Sequence, residues 1–275
     1  MAATIKITDQ IIKSVDRFTF YDLVDGAIMA TINQINNANI NQTQEVVWYQ
    51  GKQGVRLAGF DRNKNVEVTC QNGYIDLATM SLQTGSDIEV FDGATKFIES
   101  PFIDEIFTAD GVTAETTYEG YSSDPGAEIE YIYKVNGSSI AGSTKYTQSS
   151  SASADTFEYD PSTKTLTLPT GAFDADEVVL AQYKYKASGT AISSDTEHFS
   201  KSARVVIDLT TQDICTDATT HSQFIIPKAK IDGNFNVQVG DNPAVHNISM
   251  SCTPSVCFGE PKQLFTYQLV NPYIV

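Results

Sequence analysis

The clearest pattern in the chain is an alternation of apolar and polar residues over positions 231–239. The odd positions hold Ile, Gly, Phe, Val and Val, and the even positions hold Asp, Asn, Asn and Gln. Because successive side chains of a β-strand point to opposite faces, this run predicts a strand with one apolar and one polar face. The polar face contains acid and amide groups but no Lys or Arg. The alternation alone does not indicate a function, because an ordinary half-exposed strand would show it too.

Similar short segments predict that most of the chain is β-structure. The predicted strands cover residues 18–29, 46–49, 54–60, 66–70, 86–90, 128–135, 178–186, 203–209, 222–227, 246–252 and 264–270, with a strand–turn–strand unit over 157–169. The polar residues 61–65 predict a turn between two of these strands. Short strands separated by turn signals at regular spacing are typical of a β-sandwich or barrel.

Only one segment has convincing helical spacing. Asn72 can cap it, Gly85 can end it, and the apolar positions between them are Tyr74, Leu77, Ala78 and Leu82. A shorter helical turn after Asp9 is an alternative to an extended N-terminal arm that docks on a neighbouring molecule.

The segment 31–45 is rich in amides but also contains Ile32, Ile35 and Ile40. One interpretation is a surface loop. The other is a long hairpin or loop that becomes ordered against another subunit, since three isoleucines are unexpected on a freely solvated loop.

Residues 108–198 are enriched in Ser, Thr, Asp, Gly and Tyr. This shift predicts two parts, a β core over 1–107 and 199–275 and an inserted β decoration over 108–198. The expected fold is therefore mainly β, a sandwich or barrel core with one flanking helix and a peripheral β insertion. The insertion's alternating tyrosines predict either a core face or an exposed sugar-binding face; they are Tyr131, Tyr133, Tyr183 and Tyr185.

The charge balance excludes a nucleic-acid-binding surface of the usual kind. The formal net charge is −16, from 34 acidic and 18 basic residues, and the sequence pI is about 4.4. Such a chain repels polyanions rather than holding them. There is no apolar run of signal-peptide or membrane-spanning length, so we expect a protein that is made in a cytoplasm and does not enter a membrane. The four cysteines contain no Cys-x-x-Cys pair, which predicts free thiols.

No catalytic motif stands out, and we predict neither an enzyme nor a bound cofactor or metal. Phosphate-binding, dinucleotide-binding and nucleophile-elbow motifs are absent from the sequence. The weak alternatives are a late zinc cluster and paired glycosidase carboxylates. The first would use Cys215, His221, His246, Cys252 and Cys257, and the second would use Asp87 with Glu89 or Asp104 with Glu105.

The order of these parts resembles the tail tube proteins, or major tail proteins, of long-tailed bacteriophages. The stretches that carry the resemblance are Ile-Pro-Lys-Ala-Lys-Ile-Asp-Gly-Asn-Phe at 226–235 and Ala-Thr-Met-Ser-Leu-Gln-Thr-Gly-Ser at 78–86. The resemblance covers about residues 18–107 and 199–270. It implies a virion protein that is assembled in the host cytoplasm. Six copies would form a ring, the rings would stack into a hollow tube, and other tail proteins would join it.

The same resemblance implies roles for particular residues. Each contact between a Lys and a phosphate adds affinity for DNA. An acidic lumen, which lacks such contacts, would therefore let DNA pass without specific binding. The residues assigned to the lumen are Asp232, Asn234, Asn236 and Gln238, with Glu67, Asp87 and Glu89 as weaker candidates. The resemblance also assigns contacts between subunits to the loop 31–45. The residues of this loop that would form them are Ile32, Ile35, Asn37, Ile40 and Gln42. The alternative to a tube protein is a viral or surface β module, such as a decoration or carbohydrate-binding protein.

Overall fold

The computed structural model describes residues 9–135, 143–234, 236–238, 245–254 and 262–270. Eighteen strands and one α-helix occupy these residues. The strands are β1 Gln10–Tyr21, β2 Ile28–Ile32, β3 Ile35–Gln50, β4 Arg56–Asn72, β5 Glu89–Phe91, β6 Ile98–Phe107, β7 Thr113–Glu115, β8 Ile129–Lys134, β9 Thr144–Gln148, β10 Thr156–Asp160, β11 Thr165–Thr167, β12 Val178–Ala187, β13 Gly189–Ala191, β14 Ser202–Asp213, β15 Thr219–Ile231, β16 Val237–Gln238, β17 Val245–Cys252 and β18 Thr266–Val270. The helix α1 is Leu77–Thr84.

The chain divides into two compact units. The main unit contains residues up to Ile88 and from Ile192 onward, and the insertion unit is Glu89–Ala191. The insertion unit therefore begins before the composition shift at 108, and strand β6 belongs to it. The strand β6 hydrogen-bonds along its full length to β12, which explains why it belongs with the later residues.

The main unit is a nine-stranded sheet that curves into a half-barrel. Its strand order is β2-β1-β14-β15-β17-β4-β3, with β16 beside β17 and β18 beside β15. The long strand β15 has two different neighbours on one edge: β18 pairs with His221–Ile225 and β17 pairs with Ala229–Ile231. The fold is mainly β with one helix, as the alternation of residue types predicts.

The core of the main unit is built by that alternation. On β4, Val66, Val68 and Cys70 are buried, whereas Glu67 and Thr69 are exposed. The same period places Phe18 and Phe20 of β1 inside. Burial raises the pKa of the Cys70 thiol to about 12, so this cysteine is a small apolar core residue.

The single predicted helix is present but begins later than expected. Asp76, not Asn72, is the N-cap, and its carboxylate accepts hydrogen bonds from the backbone N–H groups of Ala78 and Thr79. Asn72 instead lies buried at the end of β4. Gly85 ends the helix in the left-handed conformation, as predicted, with φ of 82°.

One of the two alternatives for the N-terminal segment does not occur, and the predicted turn at 61–65 is wrong. Residues after Asp9 form the strand β1 rather than a helical turn, because they pair with β14 from Gln10 onward. The polar segment 61–65 is not a turn but the middle of β4, where Asn63 has a positive φ of 53° and the register with β3 shifts. A bulge accommodates these polar residues without ending the strand.

The predicted strand over 231–239 is also wrong in part. The strand β15 ends at Ile231, where the Asp232 carboxylate accepts hydrogen bonds from the backbone N–H and the side-chain amide of Asn234. Such a local side-chain bond competes with a strand ladder and, with Gly233 next in the chain, turns the backbone. Only Val237–Gln238 returns to a strand, paired with β17. Phe235 and Val239 lie outside the described residues.

The insertion unit contains a seven-stranded arrangement in the order β6-β12-β8-β9-β10-β11-β7, and a separate pair β5–β13. Its core includes Tyr183 and Ile132. The predicted hairpin over 157–169 is confirmed as β10 and β11. A bulge at Glu130 places Ile129 and Ile132 in the core, so Tyr131 and Tyr133 lie on the opposite face of β8. Tyr185 packs against the core.

Candidate interaction surfaces

A two-stranded ribbon extends from the sheet of the main unit. Strands β3 and β4 pair from Ile35 and Asn72 down to Gln50 and Arg56, but β17 covers β4 only over Glu67–Asn72. Residues 45–62, hereafter the ribbon, therefore have no third strand among the described residues. A short 3-10 turn at Lys52–Gly54 closes the ribbon.

The ribbon exposes an unusual amount of apolar surface. Six of its large hydrophobic side chains are between 41% and 67% exposed, namely Val46, Trp48, Tyr49, Val55, Leu57 and Phe60, whereas Val47 is half-buried. Trp48 and Tyr49 are neighbours on β3 and so lie on opposite faces, and both are exposed. An isolated two-stranded ribbon is at best marginally stable in water, and exposed apolar clusters on a protein surface mark interaction sites.

Interactions within the ribbon hold its shape. The Trp48 ring lies over Gly59, where an added Cβ would come within 3.1 Å of it. The Arg56 guanidinium lies 5.0 Å from the centre of the same ring. Hydrogen bonds from Arg62 and Asn63 lower the pKa of the Glu45 carboxyl. The ribbon thus has a defined shape even though both of its faces are open.

The ribbon also differs in charge from the rest of the chain. It contains Lys52, Arg56 and Arg62 against Glu45 and Asp61, so its net charge is positive in a chain of net charge −16. A positive apolar ribbon is complementary to an acidic partner surface.

A second surface is the polar face shared by β3, β4 and β17, hereafter the amide face. The registers align its residues in three cross-strand rows: Asn37–Gln71–Asn247, Asn39–Thr69–Ser249 and Asn41–Glu67–Ser251. The opposite face of the same strands carries core residues such as Val68 and Ile248. The amide face therefore combines neutral hydrogen-bonding groups with one acid and contains no Lys or Arg.

The turn after β15 lies beside the amide face. Asn234 and Asn236 line a groove with Gln71 and Asn247, and Asp232 lines a second groove with Glu67. Ser249 donates a hydrogen bond to the Asp232 carboxylate at 3.1 Å. The structure thus brings together Glu67, Asp232, Asn234 and Asn236, four of the residues that the resemblance assigns to a lumen.

The other three residues assigned to the lumen lie elsewhere or outside the description. Asp87 forms an ion pair with Lys201 at 3.0 Å, and this hydrogen bond lowers the pKa of its carboxyl. Glu89 begins β5 in the insertion unit and forms an ion pair with Lys96 at 2.8 Å. The backbone of Gln238 pairs with Val245, and its side chain lies outside the described part of the chain.

The segment 31–45 is not a loop. Ile32 ends β2 in the buried core, and Ile35 and Ile40 pack against that core from β3. Asn37 lies on the amide face, and Gln42 is exposed opposite Val66. The isoleucines therefore need no second subunit to account for them. The exposed apolar residues lie instead in the ribbon, which continues β3. The sequence feature that could have indicated the ribbon is the pair of apolar runs at 46–49 and 54–60.

An apolar groove opens between β1 and β3. It is lined by Ile12 and Val15 on one side, Ala38 and Ile40 on the other, and Phe224. No β1–β3 pairing occurs among the described residues, so both strands present unpaired backbone edges here.

The weaker chemical alternatives gain no support from the described geometry. Asp104 is buried and accepts hydrogen bonds from Thr117 and Tyr183, whereas its neighbour Glu105 lies on the opposite, exposed face of β6. Within the described ranges no three His, Cys, Asp or Glu residues could hold a metal ion together; Cys257 lies outside them. Among the same residues, no helix has the length and apolar character needed to cross a membrane.

Comparison with known protein families gives a match over most of the chain. A sequence profile described as the YomU/Tube protein family matches residues 10–260, which is most of the chain. No curated protein sequence matches it.

Proposed function

The chain belongs to the YomU/Tube protein family, and from this premise we propose that its copies assemble into six-membered rings that stack into a hollow tail tube. The family is one of phage tube structural proteins, so the coarse function is structural. The observation that carries the finer proposal is the ribbon, residues 45–62, with its exposed apolar side chains.

The ribbon binds a second copy of the chain. Burying its apolar side chains would stabilise the contact by roughly 25 cal/mol per Å² of apolar surface removed from water. The ribbon carries three basic and two acidic residues, a net charge of +1, so it is attracted to an acidic patch on another copy. A contact between two different patches of identical subunits is heterologous, and repeated heterologous contacts produce rings or filaments.

The ribbon takes the inter-ring role that the resemblance assigns to 31–45. It continues the strand on which Asn37 and Gln42 are exposed; Gln42 lies near the start of the ribbon, whereas Asn37 belongs to the amide face. Ile32, Ile35 and Ile40 contribute indirectly, because they anchor the beginning of β3 in the core.

The amide face lines the DNA path in this proposal, together with Glu67, Asp232, Asn234 and Asn236. The side chains of its three rows can form hydrogen bonds and include no cation to contact a passing phosphate. Lys230, which lies opposite Ser251 on β15 and lines the same groove as Asp232, donates its ammonium to the carbonyl oxygen of Ser200. Binding of proteins to DNA depends on such cation–phosphate contacts, so a wall without them lets DNA slide. Asp87 and Gln238 are secondary candidates for the same wall, whereas Glu89, the remaining candidate, belongs to the insertion unit.

The proposed setting is a phage virion. Family membership supports a virion component. We place assembly in the host cytoplasm, with other tail proteins as additional partners and with DNA as a transient occupant of the tube.

Negative-stain electron microscopy with light scattering on the concentrated full chain tests assembly. We expect rings or hollow tubes for the unmodified protein and for Phe107→Ser, because Phe107 lies in the insertion unit. We expect their loss for Phe60→Ser in the ribbon. The two residues form a matched pair, since both are phenylalanines with more than 60% exposure. A ribbon variant that assembles as well as the unmodified chain would contradict the ribbon contact.

The DNA path is tested by adding cations to the amide face. Tubes of Glu67→Lys with Thr69→Lys should retain double-stranded DNA at low salt and release it as salt rises. Tubes of Glu105→Lys with Thr147→Lys, which adds the same charge at exposed positions of the insertion unit, are the control. Equal DNA retention by both variants would place the DNA path elsewhere.

A further inference from the structure

The hairpin between β1 and β2 ends in an exposed apolar surface. Its residues 22–28, hereafter the tip, read Asp-Leu-Val-Asp-Gly-Ala-Ile. Leu23 is 44% exposed, Ile28 is 64% exposed, and Val24, at 95%, is the most exposed large hydrophobic residue of the described part of the chain. Exposed apolar side chains that lie close together mark an interaction site, because covering them removes apolar surface from water.

Local hydrogen bonds give the tip a defined shape. The Asp22 carboxylate accepts a hydrogen bond from the backbone N–H of Val24 at 2.6 Å, and the Asp25 carboxylate accepts one from that of Ala27 at 2.8 Å. The backbone N–H of Asp22 also donates to the carbonyl oxygen of Ala27 across the hairpin. A carboxylate offers about four acceptor sites, so Asp22 and Asp25 can bind a cation as well.

The tip is acidic, with two carboxylates and no base. The sequence contains no Lys or Arg between Arg17 and Lys52. The arginines of the adjoining strands have partners of their own, since Arg17 forms an ion pair with Asp208 at 2.8 Å and Arg204 lies 5.9 Å from the centre of the Tyr21 ring. The tip therefore combines two negative charges with three exposed apolar side chains.

The outer end of the ribbon, residues 47–60, has the opposite charge. It contains two bases, Lys52 and Arg56, and no acid. Glu45 and Arg62 lie at the base of the ribbon, where they pair with each other at 2.9 Å. Within the described ranges, neither Lys52 nor Arg56 forms an ion pair. The outer end thus combines two positive charges with exposed apolar side chains.

We propose that the outer end of the ribbon binds the tip of a second copy, with Lys52 and Arg56 beside Asp22 and Asp25 and with ribbon side chains covering Val24. This inference rests on the proposed assembly and names the surface that receives the ribbon. Both surfaces are exposed within one copy, so they do not cover each other there. The contact joins two different patches and is therefore heterologous, which lets it repeat from copy to copy.

Charge distinguishes the tip from the apolar groove between β1 and β3. The residues that line the groove are all uncharged, so the groove itself offers no acid to Lys52 or Arg56. Complementary charges around an apolar contact speed association and disfavour wrong partners. The tip supplies both the apolar side chains and the acids.

Charge reversal in the full chain tests the contact by electron microscopy and light scattering. The ribbon-reversed variant is Lys52→Glu with Arg56→Glu, and the tip-reversed variant is Asp22→Lys with Asp25→Lys. Each alone should lose its rings and tubes, because like charges then meet. A 1:1 mixture of the two should assemble, since each reversed surface meets an opposite charge on the other variant.

The control for reversal is Asp155→Lys with Glu158→Lys, at exposed positions of the insertion unit, which should assemble unaided. Normal assembly of the tip-reversed variant, with loss of assembly in Phe60→Ser, would overturn the tip as the receiving surface and leave the ribbon contact intact. Assembly of Phe60→Ser as well would contradict the ribbon contact itself.

Carbodiimide cross-linking tests the same contact in the concentrated unmodified chain, whether or not tubes form. The reagent activates a carboxylate, a lysine amine displaces it to form an amide, and the reagent leaves as a urea. Mass spectrometry on mixed isotope-labelled and unlabelled copies should find Lys52 joined to Asp22 or Asp25 of another copy. Lys52→Arg should remove this product. Links from Lys52 only to acids outside the tip, or none between copies, would overturn the contact.

Discussion

At the residue scale, Gly85 couples the end of the helix to its surroundings. Its φ of 82° is unfavourable for any residue with a side chain, and an added Cβ would lie 2.1 Å from the carbonyl oxygen of Phe199. Glycine at this position therefore permits both the left-handed backbone conformation and the close approach of another segment.

Gly85→Ala should therefore destabilise the main unit. We expect a cost of about 1–2 kcal/mol for the positive φ and about 1–3 kcal/mol more for overpacking against Phe199. Gly26→Ala is a matched control, because Gly26 has a similar φ of 72° but nothing within 4 Å of its Cβ position. Urea unfolding measures both variants; equal losses would show that the close approach to Phe199 carries no cost.

A buried tyrosine in the insertion unit connects two other segments through hydrogen bonds of its hydroxyl group. The Tyr183 hydroxyl donates to the buried Asp104 carboxylate at 2.8 Å and accepts from the backbone N–H of Tyr118 at 3.1 Å. Burial raises the pKa of Tyr183, and the nearby carboxylate adds to that effect, so the hydroxyl remains a donor.

Tyr183→Phe should lower the free energy of unfolding of the insertion unit by about 1–3 kcal/mol, because it leaves a buried carboxylate without one of its donors. Thermal unfolding followed by near-ultraviolet circular dichroism is the measurement. Tyr185→Phe removes a hydroxyl from a neighbouring, less buried ring of the same strand. If the two variants lose the same stability, the Asp104 hydrogen bond is not the cause.

At the element scale, α1 depends on one capping residue and on its packing. The helix has only eight residues, too few to be stable alone. Asp76 supplies the N-cap, with its carboxylate 2.9 Å from the backbone nitrogen of Thr79. The helix lies against β2, and Leu82 enters the core.

Asp76→Ala should cost about 1 kcal/mol, the usual effect of losing an N-cap. It should also lower the pKa of His246 further, because Asp76 favours the charged imidazole. Urea unfolding and the imidazole proton signals in NMR report the two effects separately. Asp61→Ala, at an exposed ribbon position, is the control, and a matching stability loss there would argue against the capping explanation.

At the scale of the whole molecule, the insertion unit has the form of a separable module. Its first and last strands pair with each other, so that Glu89 lies opposite Ala191 and the two ends of the unit are adjacent. Each unit also has its own hydrophobic core. Adjacent chain ends are the condition under which domain insertion is tolerated.

Replacing residues 89–191 by a short Gly-Ser linker should therefore leave the main unit folded. Circular dichroism should show a cooperative β-sheet transition, and electron microscopy should show the same rings or tubes as the full chain. An unfolded product would show that the main unit depends on the insertion for its stability. A folded product that no longer assembles would instead place an essential contact in the insertion unit.

The sequence by itself determined the fold class, the single helix and its Gly85 end, because periodicity and capping are local properties of consecutive residues. Only the tertiary structure decided that 61–65 continues β4, that 231–239 breaks after Ile231, and that 31–45 is strand rather than loop. In each case a cross-strand partner or a side-chain hydrogen bond outweighed local preference. The sequence named Glu67, Asp232, Asn234 and Asn236 together, and the structure places them near one another. It did not indicate that the ribbon is exposed, since exposure depends on which neighbouring strand is absent, and that is a property of the whole sheet.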